Sequence, residues 1–144
     1  MIGVLLAVTL GAAAWYFLIR STGPDSAFVR AEERYVAAVE DLSDATSEVT
    51  FARGDPRYDI HYQDSTARME AQLTVFQQLA ASEDGDAADL ATDASHSAQL
   101  GLSAADSLRR ALYRTNITDA DRAREQLADA TSQLVAHARA WKQL

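Results

Sequence analysis

From Ile2 to Ile19 the chain reads IGVLLAVTLGAAAWYFLI, a run without charge in which Thr9 is the only polar member. At about 1.5 Å per residue such a run makes a helix of ~27 Å, enough to cross a hydrocarbon core. Ile2, Leu5 and Leu6 supply bulk for the lipid. Trp15 and Tyr16 suit the membrane interface, and Arg20 closes the span. A surface helix of a globular domain would keep a polar face, and this segment has none. The pattern predicts a transmembrane anchor over residues 1–20. It reads as an uncleaved anchor rather than a signal peptide, because no positively charged region precedes it and hydrophobicity continues past Ala12-Ala13-Ala14.

A breaker over residues 21–25, Ser-Thr-Gly-Pro-Asp, should turn the chain into a new helix capped by Asp25 or Ser26. Beyond it, apolar or small residues recur at alternating intervals of three and four. Phe28, Ala31, Tyr35, Ala38, Leu42, Ala45, Val49 and Ala52 form the first ladder (26–52), ended by Arg53-Gly54-Asp55-Pro56. Thr66, Met69, Leu73, Phe76 and Ala80 form the second (64–81), with Ser65 in the preceding turn region. Ala87, Ala91, Ala94, Ala98, Gly101, Ala105, Leu108 and Leu112 form the third (86–113). The fourth (118–144) carries Ala120, Ala123, Leu127, Ala130, Leu134, His137, Trp141 and Leu144, opened by a capping-box-like Thr118-x-x-Asp121. A sustained 3.5-residue period implies coiled-coil-like packing, and short connections imply antiparallel neighbours. The fold expected is therefore all-α: one N-terminal transmembrane helix, then an antiparallel up-down four-helix bundle over 26–144 with alanine-rich heptad packing. Gly101 costs about 1 kcal/mol of helix propensity, so it marks either a close helix crossing or a drift of the sequence toward small residues.

Composition sharpens this picture in three ways. Alanine is about a fifth of the chain and prolines are two, which favours helix. Twelve arginines against one lysine read as the bias of a GC-rich bacterial genome. A net charge of −8 argues against nucleic acid as partner, since neutralising phosphates needs basic surface. Arg20, Arg30 and Arg34 follow the span with nothing basic before it, so the positive-inside rule places the bundle on the cytoplasmic side of the bacterial inner membrane.

No motif carries catalysis. The absence of cysteine removes disulfides, thiolate metal sites and covalent haem. A di-iron bundle needs two Glu-x-x-His pairs, and no glutamate here precedes a histidine at that spacing. His137 and Met69 could imitate haem ligands, but they fall at different heights of the bundle. No cofactor, no metal and no enzymatic activity are expected.

What remains are surfaces. Gly3, Ala7, Gly11 and Ala14 make a small-residue stripe along the anchor, suited to helix–helix contact in lipid. Arg53, Arg57, Arg109, Arg110, Arg114, Arg122 and Arg124 collect at the end of the bundle far from the membrane, while Glu83, Asp84, Asp86, Asp89 and Asp93 gather near it. The helix dipole accounts for Arg109, Arg110 and Arg114 at a C-terminus, but not for Arg122 and Arg124 at a helix start. These features point to an accessory or scaffold subunit contacting integral membrane proteins of a larger complex, with photosynthetic and respiratory assemblies as natural hosts. The alternative is a membrane-tethered helical sensor or signalling adaptor.

Overall fold

Apolar stripes on successive helices can be hidden from water only by packing helix against helix. The computed structural model describes residues 27–47 and 56–144, and these are α-helical apart from short turns: α1 (27–47), α2 (Pro56–Ser82), α3 (Gly85–Tyr113) and α4 (Ile117–Trp141). Among the described residues no helix is long and apolar enough to cross a membrane. The anchor expected over 1–20 and the linker over 21–25 lie outside the described residues.

Cross-helix contacts give the bundle its up-and-down order. Phe28 of α1 stacks on Trp141 of α4 at 4.3 Å between centroids and tilts against Phe76 of α2 at 5.1 Å. At the other end of α1, Asp41 pairs with Arg68 of α2, and the Thr46 carbonyl accepts from Arg124 of α4. Both α2 and α4 thus run against α1. Tyr113 of α3 reaches Asp59 of α2, so α3 runs parallel to α1. The acidic α2–α3 turn lies at the Phe28 end, and the α3–α4 turn lies at the opposite, distal end.

The turns are tight. Only Glu83 and Asp84 separate α2 from α3, and Gly85 opens α3 at φ 58°, which an L side chain would disfavour. At the end of α3 the Asn116 N–H donates to the Ala111 carbonyl (2.9 Å) and the Thr115 N–H to Leu112 (3.0 Å). This is a Schellman pair, but its left-handed residue is Thr115, at φ 52°, where glycine is usual. Asn116 then caps α4 by accepting from the Asp119 N–H at 3.1 Å.

Expectations for α2 and α4 are corrected, among them Leu144, which lies past the end of α4 and is exposed rather than on its seam. The second helix begins at Pro56, not near residue 64, because proline suits a first helical turn as well as it ends a preceding one. Its buried face is Tyr62, Ser65, Met69, Gln72, Phe76 and Leu79, with Thr66, Leu73 and Ala80 on the flanks. Ser65 is therefore a core-facing residue, 1% exposed, rather than part of a turn. The cap of α4 is Asn116 with Asp119, two residues before Thr118 and Asp121. His137 lies beside the seam, half-buried, and Ala138 occupies it.

Gly101 leaves room on α3 for the tip of a side chain from α1. The Tyr35 hydroxyl, fully buried, donates to the Ala98 carbonyl at 2.7 Å. A Cβ built on Gly101 would overlap that hydroxyl and stand 3.3 Å from the Tyr35 Cζ. The missing Cβ of Gly101 is the space this hydroxyl fills, and burial pushes the Tyr35 hydroxyl pKa well above its ordinary value.

Candidate functional site

The distal end gathers the chemistry that the core does not use. It is built from the start of α2, the end of α3 and the start of α4. Two of its arginines are committed to holding the helices together. Arg109 lies 3.5 Å from Asp59 and over the rings of Tyr62 (5.0 Å) and Tyr113 (5.6 Å). Tyr113 in turn donates to Asp59 at 2.8 Å. Burial and the Asp106 charge push the Tyr62 hydroxyl pKa up. This cluster fastens α2 to α3.

Arg124 fastens α4 to α1. Its guanidinium bonds Asp121 at 2.9 Å and the Thr46 carbonyl at 3.3 Å. Arg124 is the eighth residue of α4, beyond the first turn in which the helix dipole disfavours a cation. The contact with Thr46 could not be read in the sequence, because the two residues are 78 apart in the chain.

Arg110, Arg114 and Arg122 behave differently. They line one open groove of about 330 Å³ between the last turn of α3 and the first turns of α4, with Ser107, Asp119 and Gln126. Arg110 pairs with Asp106 at 2.8 Å and Arg122 with Asp119 at 3.3 Å, both pairs well exposed. Arg114 is exposed and has no ion pair among the described residues. It is also the residue directly before the strained Thr115.

Apolar side chains stand out of the same end. Ile60 is 64% exposed, Ile117 75% and Tyr113 39%, and they account for most of the large exposed hydrophobics among the described residues. The sequence reading took the arginines and missed these three; their signal was bulky residues lying off every seam.

Of the remaining candidates, Arg53 lies outside the described residues. Arg57 belongs to the first turn of α2, but its side chain lies outside them. The anchor residues Ile2, Leu5, Leu6, Trp15, Tyr16 and Arg20, and the stripe Gly3, Ala7, Gly11 and Ala14, lie outside as well. Among the described residues no three His, Asp or Glu side chains gather in a metal-binding arrangement.

No family model, curated protein or solved structure matches the chain.

Proposed function

We propose that this protein is a non-enzymatic accessory subunit of a bacterial membrane complex, held by an N-terminal transmembrane anchor and docking through the distal end of its bundle. The anchor over residues 1–20 rests on its uncharged apolar run. The proposed side for the bundle is the cytoplasm, and the proposed partners are integral membrane subunits, with photosynthetic or respiratory assemblies as hosts.

One observation carries the docking role: exposed Ile60, Tyr113 and Ile117 share an end of the bundle with a groove lined by three arginines. Protein interfaces are enriched in arginine and aromatic residues, and an exposed apolar cluster costs solubility unless something covers it. On a chain of net charge −8, a cationic groove is also a local exception. Anchor and distal end together give two weak contacts on one tether, which reinforce each other through effective concentration.

Purification of the full chain from its own membranes in mild detergent, followed by mass spectrometry, tests the reading. Stoichiometric integral membrane partners are expected, and a chain that purifies alone would refute it. Orientation is tested separately with Ile117→Cys, whose position is exposed. It should resist membrane-impermeant maleimide in intact spheroplasts and react after lysis; labelling without lysis would place the bundle outside.

A further inference from the structure

The arginine-lined groove does not stop at Ser107 and Gln126. A second hollow of about 360 Å³, walled by Leu100, Ser103, Asp129 and Gln133, shares those two residues with the first. Together they make one channel between α3 and α4 that runs from Leu100 to Arg114, ~21 Å along the helix axis. Leu100 stands 45% exposed at one end and the Arg114 guanidinium stands free of ion pairs among the described residues at the other. We infer that this channel seats one helix of a partner protein, with an apolar side chain against Leu100 and a single carboxylate on Arg114. The inference rests on the docking function proposed above and names its partner chemistry.

Charge selects a carboxylate. Arg110 and Arg122 are already answered by Asp106 and Asp119, so the channel offers one uncompensated cation, Arg114, at its tip, and one carboxylate without an ion pair among the described residues, Asp129, nearer Leu100. A single carboxylate balances Arg114 and matches the bidentate fork of a guanidinium. A phosphate dianion or a polyphosphate would need more positive charge, and Asp119 and Asp129 in the walls would repel the excess. The floor selects a helix. Ala104, Ala111, Ala123 and Ala130 are buried and reach no further than Cβ, so an incoming backbone can lie close between the two ridges. Ser103, Ser107, Gln126 and Gln133 line its sides with hydrogen-bonding groups.

A second copy of this chain fits poorly. Its densest acidic segment, Glu83 to Asp93, lies at the opposite end of the bundle. Two copies anchored in one membrane would therefore hold acid and groove at different heights.

The test is photocrosslinking in the full chain in its own membranes, with p-benzoylphenylalanine in place of Gln126 in the channel and, separately, of Ile117 at the tip. Sequencing of the product by mass spectrometry should find, for Gln126, one helical segment of another protein with an Asp or Glu within a turn of the crosslinked residue. Arg114→Glu should lower that yield about tenfold or more, and Arg114→Lys by less, since lysine keeps the charge but not the fork. Reversing the partner's carboxylate to Lys should restore the yield with Arg114→Glu. Circular dichroism of each variant should match the parent, because Arg114 supports no other side chain. Crosslinks to a second copy or to lipid, a yield indifferent to Arg114→Glu, or saturable competition by pyrophosphate would each overturn the inference. Products from Ile117 alone would sink the channel and leave the docking function standing; silence at both positions would remove both.

Discussion

Placing a methyl group on Gly101 should destabilise the bundle, although alanine is the better helix former by about 1 kcal/mol. The added Cβ would overlap the Tyr35 hydroxyl, which has nowhere to go because the ring is fully buried. Moving it breaks the 2.7 Å bond to the Ala98 carbonyl and strands a buried donor, a loss of about 1–3 kcal/mol. Overpacking adds a comparable amount, so Gly101→Ala should cost about 2–4 kcal/mol net. Tyr35→Phe alone should cost only about 0.5–1.5 kcal/mol, since the Ala98 carbonyl keeps its own helical bond. With Phe at position 35 the overlapping atom is gone, and the nearest remaining contacts are Cζ at 3.3 Å and the Ala130 Cβ at 3.7 Å. Gly101→Ala should then be nearly neutral or mildly stabilising. Urea unfolding of the full chain in micelles, followed by far-ultraviolet circular dichroism, measures all four members of the cycle. A stabilising Gly101→Ala in the parent, or equal effects in both backgrounds, would refute the packing of the Tyr35 hydroxyl on Gly101.

Three further outcomes follow from the same contacts. Thr115→Gly should stabilise by about 0.5–1 kcal/mol, because it relieves a left-handed threonine at the cost of a more flexible unfolded chain; a lower urea midpoint would contradict the turn geometry. Stability should be full below about pH 10 and fall as pH rises beyond it, since the unfolded tyrosine ionises there while native Tyr35 holds its proton. Tyr35→Phe should flatten that decline, and an unchanged pH profile would show that the hydroxyl is not so held. Leu127→Asp should cost several kcal/mol, about 3–5, by burying an unpaired carboxylate; a variant that unfolds like the parent would displace the α4 seam.

Legibility in the sequence followed the strength of the apolar period. α3 and α4 were readable because alanine and leucine hold their seams almost without interruption from Ala91 to Leu108 and from Ala120 to Leu134. α2 was misread because two of its core positions are Ser65 and Gln72, so hydrophobicity alone shifts the stripe by one residue toward Thr66 and Leu73. A strict seven-residue step back from Phe76 through Met69 to Tyr62 would have found both the face and the earlier start. The convergence of Arg110, Arg114 and Arg122 follows from a four-residue step on α3 meeting the first turns of α4. What the sequence could not separate was Arg109 and Arg124 from these three. Their partners, Asp59, Tyr62 and Thr46, lie on helices distant in the chain.

The central claim is attachment at two places, an anchor in the membrane and the distal end of the bundle. It is tested most directly by quantifying partner recovery from three full-length variants: Gly11→Leu, the triple Arg110→Glu/Arg114→Glu/Arg122→Glu, and their combination, each checked for parent-like helicity. Because the contacts share one tether, each single change should loosen the complex and the combination should release the protein. Undiminished recovery from the combined variant would contradict the account.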